Sequence, residues 1–504
     1  MLALQNQNVL VLGLGVSGMA MARWCAQNGA TVTVADTREN PPQLQSLKLE
    51  LPSLRFQHAS SLWQVGVSYD RILRSPGLAP RDVTALLESI GLGETTSQGE
   101  VELFSEALRD LAATVRYQPK IIAITGTNGK TTVTALTGQL IQRTGKTASV
   151  AGNIGPTLLD TLARHLVHSD LPDVWVLELS SFQLDGITGF EPTTATVLNV
   201  TQDHLDWHGS LPAYARAKAR IFGSQTVMVL NRDDEAVMAM LPNALKGGKN
   251  KNRQQVPYIT FGETLPTRSG DFGLETVDGL TWLVRAFDFD ISGRSRNDRT
   301  VEIGLQKLLP ADALRIRGRH NAVNALAGLA LAVSIGCPLG PILYGLRDYK
   351  GEPHRVQSIG VIGGVEYFDD SKGTNVGATV AALKGLGTEQ RLIVILGGDG
   401  KGQDFSPLVA PLAKYARAVV LIGRDAKLIS ETLHGLTVPI QEAGSLEQAV
   451  QVACQLAQSG DAVLLSPACA SLDMFQNYVH RAEVFRQTVS SLASKVDFVL
   501  ESTV

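Results

Sequence analysis

Short apolar runs, each closed by a glycine-rich or polar turn and followed by a helix-period stretch, recur along the whole chain. Asn8-Val9-Leu10-Val11-Leu12 reads as a buried strand entering Gly13-Leu14-Gly15-Val16-Ser17-Gly18, and the pattern then predicts a helix to Asn28. Thr31-Val32-Thr33-Val34-Ala35-Asp36 is the next parallel strand and ends in an acid, and residues 71–73 form a further strand leading to Ser75-Pro76-Gly77. Residues 121–124 are apolar and run into Thr125-Gly126-Thr127-Asn128-Gly129-Lys130-Thr131-Thr132, with a helix predicted over 133–143. Residues 150–155 read as a glycine-rich turn carrying one amide, Asn153. Residues 174–183 read as a strand ending in Glu178 and two hydroxyls, and 194–200 as a strand ending at Thr201-Gln202-Asp203-His204-Leu205-Asp206. Later strands are predicted at 365–370, 392–396, 419–422 and 462–465. Strands alternating with helices predict an α/β protein built on parallel sheets.

Other segments carry less chemistry. Residues 214–222 form an amphipathic helix whose spacing makes Lys218 a solvated lysine. Residues 247–255 are polar and basic and read as an exposed loop, and 265–312 read as short strands and turns, hairpins at one edge. Residues 315–325 open a long Ala/Leu helix running to about Ile335.

At 504 residues the chain is too long for one core, and about 150 residues per domain suggests three. The expected division is a Rossmann-like domain (1–116), a central P-loop-type ATPase sheet (117–351) and a C-terminal Rossmann-like parallel sheet (352–504), with Glu352-Pro353-His354-Arg355 at the last boundary. Hydrophobic residues make up 44% and charged residues 18%, and the net charge is −3 with no long basic run. Nothing in that balance points to nucleic acid or a membrane surface. Cys25, Cys337, Cys454 and Cys469 lie far apart without metal-binding spacing, which suits reduced thiols in a cytoplasm. The apolar stretch 9–26 has no preceding Lys or Arg and is broken by Gly13, Gly15 and Gly18, so it is not expected to be a leader.

The chemistry collects at strand ends, where open α/β sheets bind ligands. Residues 125–132 have the layout of a phosphate-binding loop. Backbone N–H groups and the helix dipole hold phosphate oxygens, Lys130 adds positive charge, and the Thr131 hydroxyl can reach Mg²⁺. Ile124 stands where such loops usually carry their first glycine, and Gly126 sits closer in, so this loop is shorter or differently bent. Glu178, ending a neighbouring strand, suits a metal ligand. His204 is brought to the same site by its place at a third strand end. Residues 13–18 form a GxGxxG turn for a nucleotide or pyrophosphate, with Asp36, Thr37 and Arg38 at the next strand end to meet a ribose, base or phosphate; the same features suit a nicotinamide-dependent oxidoreductase. Ser371-Lys372-Gly373-Thr374-Asn375, the turn with Lys401, and residues 466–473 can converge as a small-anion site or remain ordinary polar loops. His320 and Asn321 at a helix start can cap it or present polar edges to an adenine.

Taken in order, Thr-Gly-Thr-Asn-Gly-Lys-Thr-Thr (125–132), Glu-Leu-Ser-Ser-Phe-Gln-Leu (178–184), Asn-Val-Thr-Gln-Asp-His-Leu-Asp (199–206), His-Asn (320–321), His-Arg (354–355) and Asp-Ser-Lys-Gly-Thr-Asn (370–375) resemble the Mur ligases of peptidoglycan synthesis. Stretches 13–18, 99–104, 396–401 and 465–473 are most similar to the branch that joins D-glutamate to UDP-N-acetylmuramoyl-L-alanine. The resemblance spans nearly the whole chain except about 240–312. It implies ATP and Mg²⁺ as cofactors and domains that bind, in order, the UDP-sugar, ATP and the amino acid. It also implies an acyl-phosphate intermediate and a monomer working in the cytoplasm. A sister Mur ligase, or a folyl-polyglutamate synthase-like ligase with another acceptor, is the nearest alternative, and an inactive ATP-binding scaffold is a further one.

The resemblance assigns residues. Lys130, Glu178, His204 and Lys218 are catalytic; Lys218 matches a family lysine that carries a carbamate. Thr131, Glu178, His204 and Lys218 hold the metal. Gly126, Thr127, Asn128, Gly129, Lys130, Thr131, Thr132, Asn321, Asn324, Arg355 and Asp370 bind ATP. Ser17, Asp36, Thr37, Arg38, Gly77 and Asn153 meet the UDP-sugar substrate, and Ser180 and Gln183 are substrate-binding. Thr374, Lys401, Ser471, Leu472 and Tyr478 meet the acceptor. Tyr478 stands where the family has Phe, and Thr131 where it has Ser.

Overall fold

The computed structural model describes residues 4–64, 68–89, 96–242, 258–290 and 301–496. The first sheet is parallel, in the order β3-β2-β1-β4-β5, from β1 (Asn8–Leu12), β2 (Thr31–Asp36), β3 (Arg55–His58), β4 (Arg71–Arg74) and β5 (Ser97–Gln98). Val9, Leu10 and Val11 are all buried, as expected of a strand covered on both faces, and each such side chain contributes about 1.5–3 kcal/mol. The helix Val16–Gln27 closes tightly on the preceding turn: a Cβ on Gly18 would lie 1.9 Å from the Gly13 carbonyl oxygen, so only glycine fits.

The second sheet is also parallel, with β6 (Lys120–Thr125), β7 (Ala148–Gly152), β8 (Val174–Glu178), β9 (Thr194–Val197), β10 (Val227–Asn231) and β11 (Tyr258–Phe261) in the order β11-β10-β9-β6-β8-β7. β6 is therefore flanked by β8 and β9, and the carboxyl ends of all three meet at one edge. The local elements depart from the sequence expectation in four places. The helix after the phosphate loop begins at Lys130, so Lys130, Thr131 and Thr132 form its first turn. Residues 150–152 belong to edge strand β7 rather than to a turn. β8 stops at Glu178, because Ser180 and Gln183 form a reciprocal capping box that starts the helix Ser181–Leu184. β9 ends at Val197, where the chain turns aside to brace the phosphate loop.

Beyond this sheet, β12 (Phe272–Val277), β13 (Leu280–Asp290) and β14 (Val301–Pro310) form a separate antiparallel sheet. These are hairpins, as expected, though the last two strands are long. The stretch 247–255 lies outside the described residues.

The last sheet contains β15 (Gln357–Ile362), β16 (Val365–Asp369), β17 (Leu392–Gly397), β18 (Ala416–Ile422), β19 (Ile440–Glu442) and β20 (Ala462–Leu465) in the order β15-β16-β20-β17-β18-β19. It is parallel except for β15, which pairs antiparallel with β16. Gly363 and Gly364, both at positive φ, close that two-residue hairpin. β16, β20 and β17 are neighbours, so their three polar carboxyl-end turns lie side by side. Among the described residues no helix is long and apolar enough to cross a membrane.

Candidate active site

The phosphate loop is braced mainly by the segment that follows β9. Thr127 N donates to the Asn199 carbonyl at 2.9 Å, and Asn128 N donates to Asn199 Oδ1 at 2.8 Å. Asn199 Nδ2 returns a bond to the Asn128 carbonyl at 3.1 Å, and Thr201 N donates to Thr127 Oγ1 at 3.0 Å. Asn199 is a structural member of the loop that strand-end reasoning did not single out, though it lies within the stretch 199–206. Gly129 caps the helix in the left-handed region at φ +81°, and no side chain caps the helix start. A Cβ there would sit 2.7 Å from Asn324 Oδ1, so glycine keeps open the space in front of the first helical N–H groups. Lys130 folds back across the loop, donating to the carbonyls of Gly126 and Thr127 at 2.8 Å each. Burial lowers its pKa, and Glu178 opposes that shift.

At the end of β8, Glu178 Oε1 accepts from Asn153 Nδ2 at 2.7 Å, while Oε2 is buried without a hydrogen-bond partner. A buried carboxylate oxygen left unpaired is costly, and a hard cation satisfies it well. His204 starts the short helix Leu205–His208 in the left-handed region. Burial lowers its pKa most, with Lys130, Lys218 and Lys401 adding to the shift against Asp203, so the neutral imidazole that metals bind is favoured. The Thr131 hydroxyl accepts from Arg355 Nη2 at 2.6 Å. Among the described residues no three acids, histidines or cysteines cluster as a complete protein-only metal site. The unpaired Glu178 oxygen and the Thr131 hydroxyl are hard oxygen donors of the kind that hold Mg²⁺ together with phosphates and water.

Lys218 overturns the spacing argument. It is not solvated but 1% exposed, and its Nζ donates to the Gly126 carbonyl at 2.9 Å and lies 3.4 Å from Thr125 Oγ1. Burial, reinforced by Lys130, holds its pKa well below the usual lysine value.

Lys130, Thr131, Asn153, Glu178 and His204 line a cleft of about 470 Å³ whose opposite wall carries Lys372, Thr374, Lys401 and Tyr478 from the last sheet. The walls touch: Asn375 Nδ2 donates to Asn128 Oδ1 at 3.2 Å. Lys372 is drawn down to about 8, chiefly by burial and then by Arg355. Ser471 and Leu472 stand outside the cleft lining; Ser471 is buried and Leu472 is 68% exposed.

A smaller cavity on the other side of Gly129 is lined by His320, Asn321, Asn324, Arg355 and Asp370. His320 is neutral, its pKa lowered to about 4 by burial. Burial pushes the Asp370 carboxyl up to about 7, against the hydrogen bond from Ser466 Oγ at 2.7 Å.

The third cleft, about 590 Å³, opens at the carboxyl ends of β1, β2 and β4 and is lined by Ser17, Asp36, Thr37, Arg38 and Gly77 among others. Asp36 shapes its floor, accepting from Leu14 N at 2.7 Å and from Arg38 Nη2 at 2.8 Å. Burial raises the Asp36 pKa, but Arg38 and the two backbone N–H groups outweigh it and hold the carboxyl at about 2. Ser180 and Gln183 are tied to each other as the capping pair; Gln183 also lines a small gap beside Arg74 and Glu100. Glu100 and Glu102, which sequence reasoning left without a role, reach the central sheet's flank. Glu100 accepts from Leu159 N at 3.1 Å and Glu102 from Thr188 Oγ1 at 3.1 Å. Their only signal was their place in the stretch 99–104.

Three family models match in order along the chain: "Mur ligase MurD-like, N-terminal domain" over 7–95, "Mur ligase middle domain" over 124–332 and "Mur ligase, glutamate ligase domain" over 354–469. A UDP-N-acetylmuramoylalanine–D-glutamate ligase of Albidiferax ferrireducens is 62% identical, covering 98% of this chain and 97% of its own. One from a Polaromonas species is 50% identical over 99% of this chain and 100% of its own. In fold, the chain is similar to the MurF ligase of Thermotoga maritima in complex with ADP, with a TM-score of 0.56, 16% identity and 98% of each chain covered. Phosphate loop, sheet order and these matches make the protein an ATP-dependent ligase. It belongs to the Mur ligase family.

Proposed function

We propose that the protein joins D-glutamate to UDP-N-acetylmuramoyl-L-alanine at the expense of ATP, forming a peptide bond in the cytoplasm as a monomer. One observation supports this reading above the rest. A phosphate loop with an unpaired buried carboxylate oxygen faces Lys372, Lys401 and Thr374 across a single cleft, so an activated carboxylate and an anionic amino acid can meet there. The relatives named above bear the name of this activity. In this reading residues 1–116 hold the uridine substrate, 117–351 ATP and 352–504 the acceptor. The substrate's terminal carboxylate is activated as an acyl phosphate, the amine of D-glutamate attacks the carbonyl carbon, and phosphate leaves.

The residues divide the work. Lys130 leaves the loop carbonyls for the phosphoryl group and offsets charge as it transfers. Asn128 and the first helical N–H groups fix the phosphates, and Asn321, Asn324 and Asp370 hold the nucleoside end. Thr131, Glu178, His204 and, as a carbamate, Lys218 are the residues to hold Mg²⁺, which when bound neutralises phosphate charge. Asn153 keeps Glu178 turned so that one carboxylate oxygen stays free. Lys401 and Thr374 meet the acceptor's carboxylates through charge-assisted hydrogen bonds. The four cysteines are free, which accords with a reducing cytoplasm.

The reading requires ADP formation to depend on all three substrates. ATP turnover that proceeds without either the uridine substrate or the amino acid contradicts it. Within the first cleft, Asp36→Ala leaves Leu14 N unpaired and frees Arg38, and bonds to a charged acceptor are worth about 1.5–3 kcal/mol. The Michaelis constant for the uridine substrate is therefore expected to rise about tenfold or more with that for ATP nearly unchanged; equal changes in both would remove Asp36 from this role.

A further inference from the structure

Three segments line the acceptor wall, a fourth (466–473) adjoins them outside the lining, and one buried cation links that fourth segment to two of the three. Arg481 is 1% exposed and lies one turn into the helix Tyr478–Val496. Its Nε donates to Ser371 Oγ at 3.0 Å, its Nη2 to the Ser371 carbonyl at 2.7 Å and its Nη1 to the Cys469 carbonyl at 3.1 Å. Ser371 precedes the turn that carries Lys372 and Thr374, and Cys469 precedes Ser471. Ser371 Oγ in turn donates to the Tyr478 carbonyl at 2.8 Å, closing the link to the helix turn whose side chain reaches the cleft. The third lining segment joins next door: Ala470 and Asp399 exchange backbone bonds at 2.8 and 3.0 Å, which ties in the turn bearing Lys401.

Among the described residues Arg481 makes no ion pair within bonding distance; its acceptors are two carbonyls and a hydroxyl. Asp473, Asp369 and Asp370 act on it only through space; a guanidinium buried without a bonded carboxylate is costly, and an apolar side chain would dock the helix at less expense. What an apolar side chain cannot do is hold three acceptors on two loops at fixed angles, which a planar fork of five donors does. Burial lowers the Arg481 pKa to about 10, so it stays charged at neutral pH.

We propose that Arg481 is the positioning residue of the acceptor site, fixing the Thr374 turn, the Ser471 turn and the Tyr478 helix start against one another and so setting affinity for the incoming amino acid. The proposal rests on the acceptor reading of those residues. Arg481 touches no substrate and acts through the loops it holds.

The test is steady-state kinetics of the full-length enzyme with each of its three substrates varied in turn. Arg481→Lys keeps the charge but loses the fork, and is expected to raise the Michaelis constant for D-glutamate about tenfold or more while those for ATP and the uridine substrate move less than about twofold. A role confined to stability would lower the melting temperature and leave the three constants alone or shift them together; either pattern in a folded variant overturns the proposal. If Arg481→Lys does not fold, Ser371→Ala decides. It removes one acceptor of Arg481 and the link to Tyr478, and is expected to raise the D-glutamate constant roughly threefold with the other two unchanged. An unchanged D-glutamate constant in that variant overturns the proposal. Wild-type enzyme that fails to couple ATP turnover to D-glutamate sinks the acceptor reading, and this proposal with it. Wild-type enzyme that couples normally, with variants that leave its D-glutamate constant unmoved, sinks the positioning role alone.

Discussion

Lys130→Ala is expected to lower ligase turnover by about 10² or more while leaving the fold intact. Among the described residues the side chain donates only to the carbonyls of its own loop, Gly126 and Thr127, so its removal breaks no hydrogen bond of the surrounding sheet. Lys130 is the first residue of the helix that follows the loop, and burial in a site of low dielectric makes its charge count for more than it would in water. A positioned cation acting on a transferring phosphoryl group contributes mainly in the transition state, so the loss should appear in kcat. The check is phosphate release by a variant whose circular dichroism matches the wild type. A folded Lys130→Ala enzyme with near-normal turnover would remove Lys130 from the chemistry.

The second large effect concerns Lys218. Its amine is buried against the Gly126 carbonyl, and burial, reinforced by Lys130, shifts it toward the neutral form. A neutral amine is the reactive form: its lone pair attacks the carbon of CO₂, an N–C bond forms, and the nitrogen proton passes to water, leaving a carbamate anion. That exchange turns a buried amine, near enough to Glu178 to feel its charge, into an oxygen anion, the hard-donor character that Mg²⁺ prefers. Loss of a metal-supporting group typically costs about 10–100-fold, so Lys218→Ala is expected to be nearly inactive. Added acetate, which can enter the space vacated by the side chain and supply the missing carboxylate, is expected to restore part of the activity. Full activity of the alanine variant, or an inactive variant that acetate leaves unchanged, would argue against a carbamate.

Much of this site was readable because of how parallel sheets bury their strands. β1, β6 and β17 appear as apolar runs since both faces are covered, and the polar residues that follow fall at one edge. That logic brought Lys130, Glu178 and His204 to neighbouring strand ends, where β6, β8 and β9 adjoin. It failed where a segment's character depends on partners distant in sequence. β7 is Ala-Ser-Val-Ala-Gly, too small and mixed to read as a strand, and is held there by pairing with β8. The helix from Lys130 begins with polar and β-branched residues, which look like loop until the phosphate loop sets their direction. Lys218 reads as surface by periodicity, yet its oxygen partners lie 92 and 93 residues earlier. Arg481, Glu100 and Glu102 were hidden for the same reason: a single charge in a helix pattern looks solvated unless the loops it holds are visible. Ser471 and Leu472 are not in the cleft lining, which a turn's composition cannot reveal.

The most direct measurement is competition for incorporation. With UDP-N-acetylmuramoyl-L-alanine and ATP, equal concentrations of D-glutamate, L-glutamate, L-alanine and meso-diaminopimelate are offered together, and the product is identified by mass and stereochemistry. A dicarboxylate satisfies the cations of the acceptor wall, Lys372 and Lys401, whereas alanine leaves one of them unmatched in a partly desolvated cleft. Charge alone does not choose D over L; that preference rests on the likeness to the D-glutamate ligases. D-glutamate is expected to be incorporated in preference to the other three, and preferential incorporation of L-glutamate, L-alanine or meso-diaminopimelate would contradict the D-glutamate assignment.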